Sequence, residues 1–148
     1  MSALKSQITE ALKASMRERD MDTVTVIRSV QAAIKQIEVD TREELDDARV
    51  LAVLEKQIKQ RKESISAFSS AGREDLAAKE QFEIGVISQF LPTALSEQEL
   101  DTLIENEISN QGATTIRDMG KVMNALRPKI AGRADASIVS SKIKTLLG

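Results

Sequence analysis

The residues of this sequence that could bind or react with a ligand are charged or hydroxylic, because its 148 residues include no His and no Cys. A chain without those two types cannot supply a catalytic Cys, a Ser-His-Asp triad, a zinc site or an H-E-x-x-H helix. The six glycines stand singly, so they form no phosphate-binding loop. The composition therefore points away from an enzyme, and we expect no cofactor and no metal.

Two pairs of adjacent acids, Glu43-Glu44 and Asp46-Asp47, come nearest to a general acid–base or divalent-ion site. Adjacent residues on a helix do not face each other, and both pairs stand where the start of a helix favours acids. We interpret them as helix caps. A Ser-Lys nucleophile would need a sharply turned, glycine-rich loop, whereas the serines here lie on predicted helices or caps.

A strip of polar residues after Thr115 is the best candidate for ligand binding. At about 100° per residue, Arg117, Lys121 and Asn124 fall on one side of a helix. The opposite side holds the apolar residues Met119, Val122, Met123 and Leu126. Gly120 lies on the boundary, where it would let another backbone approach. Cations and an amide beside a glycine suit phosphate contacts, although a solvated helix face explains the same pattern.

Aromatic residues that could stack on bases are scarce. Only Phe68, Phe82 and Phe90 occur, and all three lie on predicted apolar stripes. Sequence-specific reading of single strands is therefore not expected, while recognition of the backbone or shape of structured RNA stays open.

Arg61 stands on an apolar helix stripe. The same projection places it among Leu51, Leu54, Ile58, Ile65 and Phe68. A guanidinium in a core costs several kcal/mol unless it is paired, so we expect a structural ion pair. The candidate partners are Glu38, Glu80 and Glu83.

The elements that position these residues are helices, because apolar residues recur at helical spacing along nearly the whole chain. The sequence predicts an all-α fold. Residues 1–91 form a helical N-terminal domain whose helices start at Ser2, at Asp22, at Asp46-Asp47 and near Arg73, with Gly72 and Pro92 as stops. We place Phe82 on the apolar face of the fourth helix, and we interpret Gly85 as a point of close helix–helix approach.

A small three-helix domain is predicted over residues 96–148. Its first helix begins at the S-x-x-E capping box of Ser96 and Glu99 and ends at Gly112. The second begins at the Thr115 box and ends at Pro128, and Asp135 caps the third. The apolar residues of this last helix are Ile138, Val139, Ile143, Leu146 and Leu147. A unit of roughly 50 residues without disulfide or metal is marginal alone.

Charge is unevenly distributed, although the formal net charge is only −2. Residues 92–110 hold five acids and no base, whereas residues 111–148 hold seven bases and two acids. Such asymmetry points to an interacting surface. The longest apolar run covers residues 50–54, where a membrane span needs about 20 residues, and the first residues lack the apolar stretch of a signal peptide. We expect a cytoplasmic protein without a membrane partner.

Several segments together resemble the YqeY family: 59–65 (Lys-Gln-Arg-Lys-Glu-Ser-Ile), 72–76, 90–92, 118–123 and 132–135 (Gly-Arg-Ala-Asp). The family is similar to the C-terminal tail of the B subunit of the glutamine-dependent tRNA amidotransferase, and a similar module is appended to some glutaminyl-tRNA synthetases. The resemblance associates the chain with carbon–nitrogen ligation that uses glutamine as amido-nitrogen donor. It implies no active site here, because the kinase and amidase chemistry belongs to other modules.

The resemblance implies a module that holds tRNA by its outer corner, with an aminoacyl-tRNA synthetase or amidotransferase as possible protein partner. The expected RNA-binding residues are Arg117, Gly120, Lys121, Asn124, Lys129, Gly132 and Arg133. Two interpretations follow: a non-catalytic tRNA-binding or tRNA-enzyme accessory module, or a helical protein–protein adaptor whose basic strip meets an acidic partner.

Overall fold

The computed structural model describes residues 2–148, and within them the chain is helical, without a β-strand. This confirms the all-α prediction. The helices are α1 (Ala3–Arg17), α2 (Met21–Thr41), α3 (Asp47–Ser70), α4 (Glu74–Ser88), α5 (Glu97–Gln111), a 3-10 helix (Ile116–Asp118), α6 (Met119–Ile130) and α7 (Ala136–Leu147). The chain forms two compact units, one ending at Leu91 and the other covering Pro92–Gly148.

In the first unit, α3 packs along α4, and α2 contacts α1, α3 and α4. The apolar stripes predicted from the sequence meet in one core, whose fully buried members include Ile8, Ile27, Val30, Leu54 and Ile87. Burial of such aliphatic side chains stabilises the unit by about 1.5–3 kcal/mol each.

The caps of the first unit mostly follow the sequence. The Ser2 hydroxyl accepts a hydrogen bond from the amide of Lys5, and Asp46 accepts one from the amide of Arg49. Gly72 has a φ of 72°, the left-handed conformation expected where a helix exits. The predicted cap at Asp22 is wrong, because Asp20 caps α2 through the amide of Thr23 and Asp22 lies inside the first turn.

Two expectations for the fourth helix are also wrong. Phe82 is 45% exposed, because the buried face of α4 is formed by Ala77, Ile84 and Ile87. No heavy atom outside its own helix backbone and chain neighbours lies within 4 Å of a Cβ added at Gly85. Gly85 is therefore not a point of close helix approach.

In the second unit, α5, α6 and α7 pack against one another around Ile104, Val122, Leu126, Val139 and Ile143, all fully buried. The Ser96–Glu99 capping box is formed in both directions, and Gly112 ends α5 with a φ of 62°. The Asp135 carboxylate accepts a hydrogen bond from the amide of Ser137 at the start of α7. These local signals were predicted correctly.

The second predicted helix begins at the Thr115 box, as expected, but its first turn is a 3-10 turn and its end lies later than predicted. Residues 116–118 form a 3-10 turn before α6, and Ile116 at its start is 46% exposed. Pro128 does not end the helix, which continues to Ile130. Proline removes one amide donor here, and burial of Ile130 in the core holds the last turn in place.

The last helix is less buried than its composition suggests. Val139 and Ile143 are fully buried, whereas Ile138 and Leu146 are each 53% exposed. Across residues 2–148, every helix is too short or too polar to traverse a lipid bilayer.

Candidate nucleic-acid interface

The predicted basic strip is exposed on α6 and the turn before it. Arg117, Lys121, Asn124 and Arg127 all point to solvent. Among the described residues, no carboxylate lies within ion-pair distance of Arg117, Lys121 or Arg127, and the Arg127 guanidinium donates to the Asn124 Oδ1 over 3.2 Å. We call Arg117, Gly120, Lys121, Asn124 and Arg127 the α6 strip. It presents three guanidinium or ammonium groups to solvent.

Asp118 lies beside the strip but is already engaged. Its carboxylate accepts hydrogen bonds from the amides of Thr114 and Thr115, at 3.0 and 3.3 Å. These two amides, and the charge of Lys121, hold the pKa of the Asp118 carboxyl below its usual range. Asp118 therefore fixes the turn that orients the strip, and it remains charged at neutral pH.

Gly120 is open to solvent in the first turn of α6. No heavy atom of the protein outside its own helix backbone and chain neighbours lies within 4 Å of a Cβ added there. The protein itself therefore does not require a glycine at this position for packing. A molecule that approaches the strip from outside could come close to the backbone there.

Lys129 carries an ion pair that the sequence analysis missed. Its Nζ lies 3.0 Å from the Oε2 of Glu107, whose side chain is 6% exposed. Glu107 also accepts a hydrogen bond from the Gln111 amide at 3.0 Å. Glu107 follows Leu100 and Ile104 on the buried side of α5. Like Arg61, it is a charged residue on an apolar stripe, which is a signal in the sequence for a paired charge.

The Gly132–Asp135 segment is a tight connection between α6 and α7. Gly132 has a φ of 71°, a conformation that favours glycine. The Arg133 Nε donates to the carbonyl of Thr93 over 2.9 Å, and the Arg133 carbonyl accepts from the amide of Leu95 over 3.0 Å. Arg133 therefore ties residues 93–95 to the connection between α6 and α7.

A groove runs beside α5 in the second unit, with a volume of about 640 Å³. Lys129 and Arg133 stand on one side of it. The α5 side presents Gln98, Thr102 and Asn106, which the sequence analysis did not single out. Their spacing of four residues places them in one row on the helix, a signal that could have been found.

The charge asymmetry of the sequence is partly used within the second unit. Two of its bases pair with acids of α5: Lys129 with Glu107, and Lys142 with Asp101 at 2.7 Å and Glu97 at 3.5 Å. The basic character available to a ligand is therefore confined to the α6 strip, Arg133 and Lys144.

Arg61 forms its pair in the first unit. Its Nε lies 3.2 Å from the Oε1 of Glu83, and the two side chains are 13% and 17% exposed. Its Nη1 also donates to the Oε1 of Gln57 over 2.6 Å. Glu38, another candidate partner, pairs instead with Lys5 at 2.7 Å. Arg61 thus joins α3 to α4 within the first unit.

Comparison with known proteins gives a family match over nearly the whole chain. The family model described as "Yqey-like protein" matches residues 5–147. The chain is 33% identical over 141 residues to "Altered inheritance of mitochondria protein 41, mitochondrial" of Pyrenophora tritici-repentis, a match that covers 93% of this chain and 77% of that protein. Proteins of the same name from Vanderwaltozyma polyspora and Lachancea thermotolerans are each 30% identical, with 89% and 93% of this chain and 75% and 78% of theirs covered.

Proposed function

The chain belongs to the YqeY-like family, and from this premise we propose that it is a non-catalytic module that binds the sugar-phosphate backbone of folded tRNA through the α6 strip. In this role it serves as an accessory to an enzyme that acts on tRNA, either an aminoacyl-tRNA synthetase or an amidotransferase. It brings no carbon–nitrogen ligase chemistry of its own.

The observation that carries the proposal is the exposed set of cations on the α6 strip. Arg117, Lys121 and Arg127 have no ion-pair partner among the described residues, so binding a phosphate breaks no ion pair within the protein. Phosphate contacts position a protein on nucleic acid and are supplied mainly by such side chains. The open backbone at Gly120 allows an RNA strand to approach between Arg117 and Lys121.

The strength of binding follows from the small number of contacts. Seven bases and seven acids give the second unit no net formal charge, so long-range attraction is weak. Three to five phosphate contacts then predict a Kd on the order of micromolar at low salt, which weakens steeply as counterions compete.

The test is a titration of labelled tRNA at two salt concentrations. Lys121→Ala should weaken binding to different tRNAs about equally and lower the slope of log K against log salt by about 1. Lys59→Ala is the matched control, because it removes an exposed lysine from α3 in the other unit. It should leave both the affinity and the slope unchanged.

Equal binding by wild type and Lys121→Ala, or no detectable binding by wild type, would overturn the proposal. Binding of an acidic protein in place of RNA would favour the adaptor interpretation. The Lys121 side chain points away from the core, so circular dichroism of the variant should match that of wild type.

A tRNA-binding role also requires a compartment that contains tRNA. The relatives are named as mitochondrial proteins, whereas our prediction for this chain is the cytoplasm. Fractionation of cells that express the tagged protein decides between the two. A mitochondrial location would contradict the cytoplasmic prediction and leave the tRNA proposal standing.

A further inference from the structure

We propose that the groove beside α5 holds one unpaired base of the bound RNA, while the α6 strip holds the neighbouring phosphates. This inference rests on the proposed function. It adds contact with a base to an interaction for which the sequence indicated only backbone and shape recognition.

The α5 side of the groove carries side chains that can hydrogen-bond to a base. Gln98, Thr102 and Asn106 lie one helical turn apart, and all three are exposed. Within residues 2–148, no hydrogen bond engages any of these side chains. Amide groups present donors and acceptors together, which is the pattern that base edges require.

Most acids of α5 lie on the side of the helix that faces α7, away from the groove. Glu97, Asp101 and Glu105 form a separate row with the same spacing, and that row faces α7, where Lys142 pairs with two of them. Only Glu99 contributes a carboxylate to the groove, and that group is bonded to Ser96 in the capping box. A helix rich in acids therefore presents an almost uncharged surface to the groove.

The groove has little net charge and is open to solvent. Lys129 and Arg133 are offset by Glu99 and by Glu107, the partner of Lys129, so the groove has little net charge. A neutral, hydrogen-bonding ligand suits it better than a phosphate. The groove, about 640 Å³ in volume, is open to solvent, so a base can enter it while its phosphate stays outside.

The groove also offers apolar surface to the flat face of a base. Leu95 and Leu103 are half-buried and line the groove. Arg133 lines the groove and donates from its Nε to the Thr93 carbonyl, and unpaired bases in protein–RNA complexes stack on guanidinium planes as well as on aromatic rings. The groove therefore needs no aromatic residue to hold a base.

The experiment compares labelled single-stranded oligoadenylate, oligouridylate and oligocytidylate of equal length. Equal length fixes the number of phosphates, so the strip contributes equally to each. Wild type should prefer one of the three by about tenfold, since a good pair of hydrogen bonds to a base discriminates by that amount or more. The double variant Gln98→Ala/Asn106→Ala should reduce the ratio to less than about twofold while leaving the salt slope unchanged.

Gln60→Ala is the matched control, because it removes an exposed helical amide from α3 in the other unit. It should keep the preference of wild type. The same preference in wild type and in the double variant would overturn the base site, and it would leave the proposed function intact if Lys121→Ala still weakens binding. No binding of tRNA or of any oligonucleotide by wild type would overturn both proposals.

Discussion

Two charged residues on apolar stripes show what can be learned at the scale of single residues. Arg61 on α3 and Glu107 on α5 each find an opposite charge on the next helix, Glu83 and Lys129 respectively. The sequence indicates that such a residue must be paired, because an isolated buried charge is costly. It does not indicate which partner is used, since that depends on how the neighbouring helix is rotated.

Replacement of Arg61 by Ala should destabilise the protein by about 2 kcal/mol, since it leaves the largely buried Glu83 carboxylate without its partner. The free energy of unfolding is measured by urea titration. Lys62→Ala, at the exposed neighbouring position, should change it by less than about 0.5 kcal/mol. A similarly small loss for Arg61→Ala would show that the ion pair contributes little to stability.

Glu107 predicts a dependence of stability on pH. The Gln111 amide and the Lys129 ammonium hold the pKa of its carboxyl below the usual value of 4.5. A group whose pKa is lowered by folding stabilises the native state above its ordinary pKa, and that contribution is lost as pH falls through the folded-state value. Glu107→Gln should therefore unfold more easily at pH 7 and lose less further stability between about pH 5 and pH 3.

The measurement is the urea midpoint of wild type and Glu107→Gln at several pH values. The two curves should converge as the pH falls. Parallel curves would show that the Glu107 carboxylate contributes no acid sensitivity.

At the scale of helices, most caps and exits were predicted correctly, with the cap at Asp22 as an exception, whereas the buried faces were predicted less well. The Ser96–Glu99 box and the Gly112 exit involve residues close in sequence, so the sequence alone predicts them. Phe82 and Ile138 lie on plausible apolar faces but remain exposed, because the number and rotation of the packed neighbours decide which face is covered. The sequence predicts that the helix ends at Pro128, whereas α6 continues to Ile130, which is buried in the core.

The open surroundings of Gly85 predict a stabilising substitution. Gly85→Ala should raise the free energy of unfolding by about 1 kcal/mol, because alanine favours a helix interior and meets no other atom there. Gly112→Ala is the contrasting variant, since its φ of 62° is unfavourable for a side chain and should cost about 1 kcal/mol. Thermal unfolding of both variants tests this, and a destabilised Gly85→Ala would indicate a packing contact at that position.

At the scale of the whole molecule, the sequence located the basic strip but not the groove. The strip depends on the phase of one helix, which residues 119–126 define well. The groove depends on where α5 packs relative to Lys129 and Arg133, which single-helix periodicity does not specify. Periodicity also gives no sign that Lys129, an expected RNA-binding residue, is paired with a carboxylate. Its ammonium group donates to Glu107, 22 residues earlier in the chain.

The division of the chain near Pro92 predicts two fragments of different stability. Residues 1–91 contain four helices and a large aliphatic core, so this fragment should fold cooperatively alone. Residues 92–148 are near the lower size limit and should be only marginally stable. The shorter fragment 96–148 should be less helical still, because it loses the bonds that Arg133 makes to Thr93 and Leu95.

Limited proteolysis of the full chain, followed by circular dichroism and urea unfolding of the three fragments, tests this order. Cleavage should fall close to Pro92, because residues 92–94 are exposed and lie outside the helices. A stable product that ends far from residues 90–97 would show that the two compact units do not behave as separate domains. An unfolded 1–91 fragment would show that the first unit depends on the second, because its own core would then be insufficient to offset the loss of chain entropy.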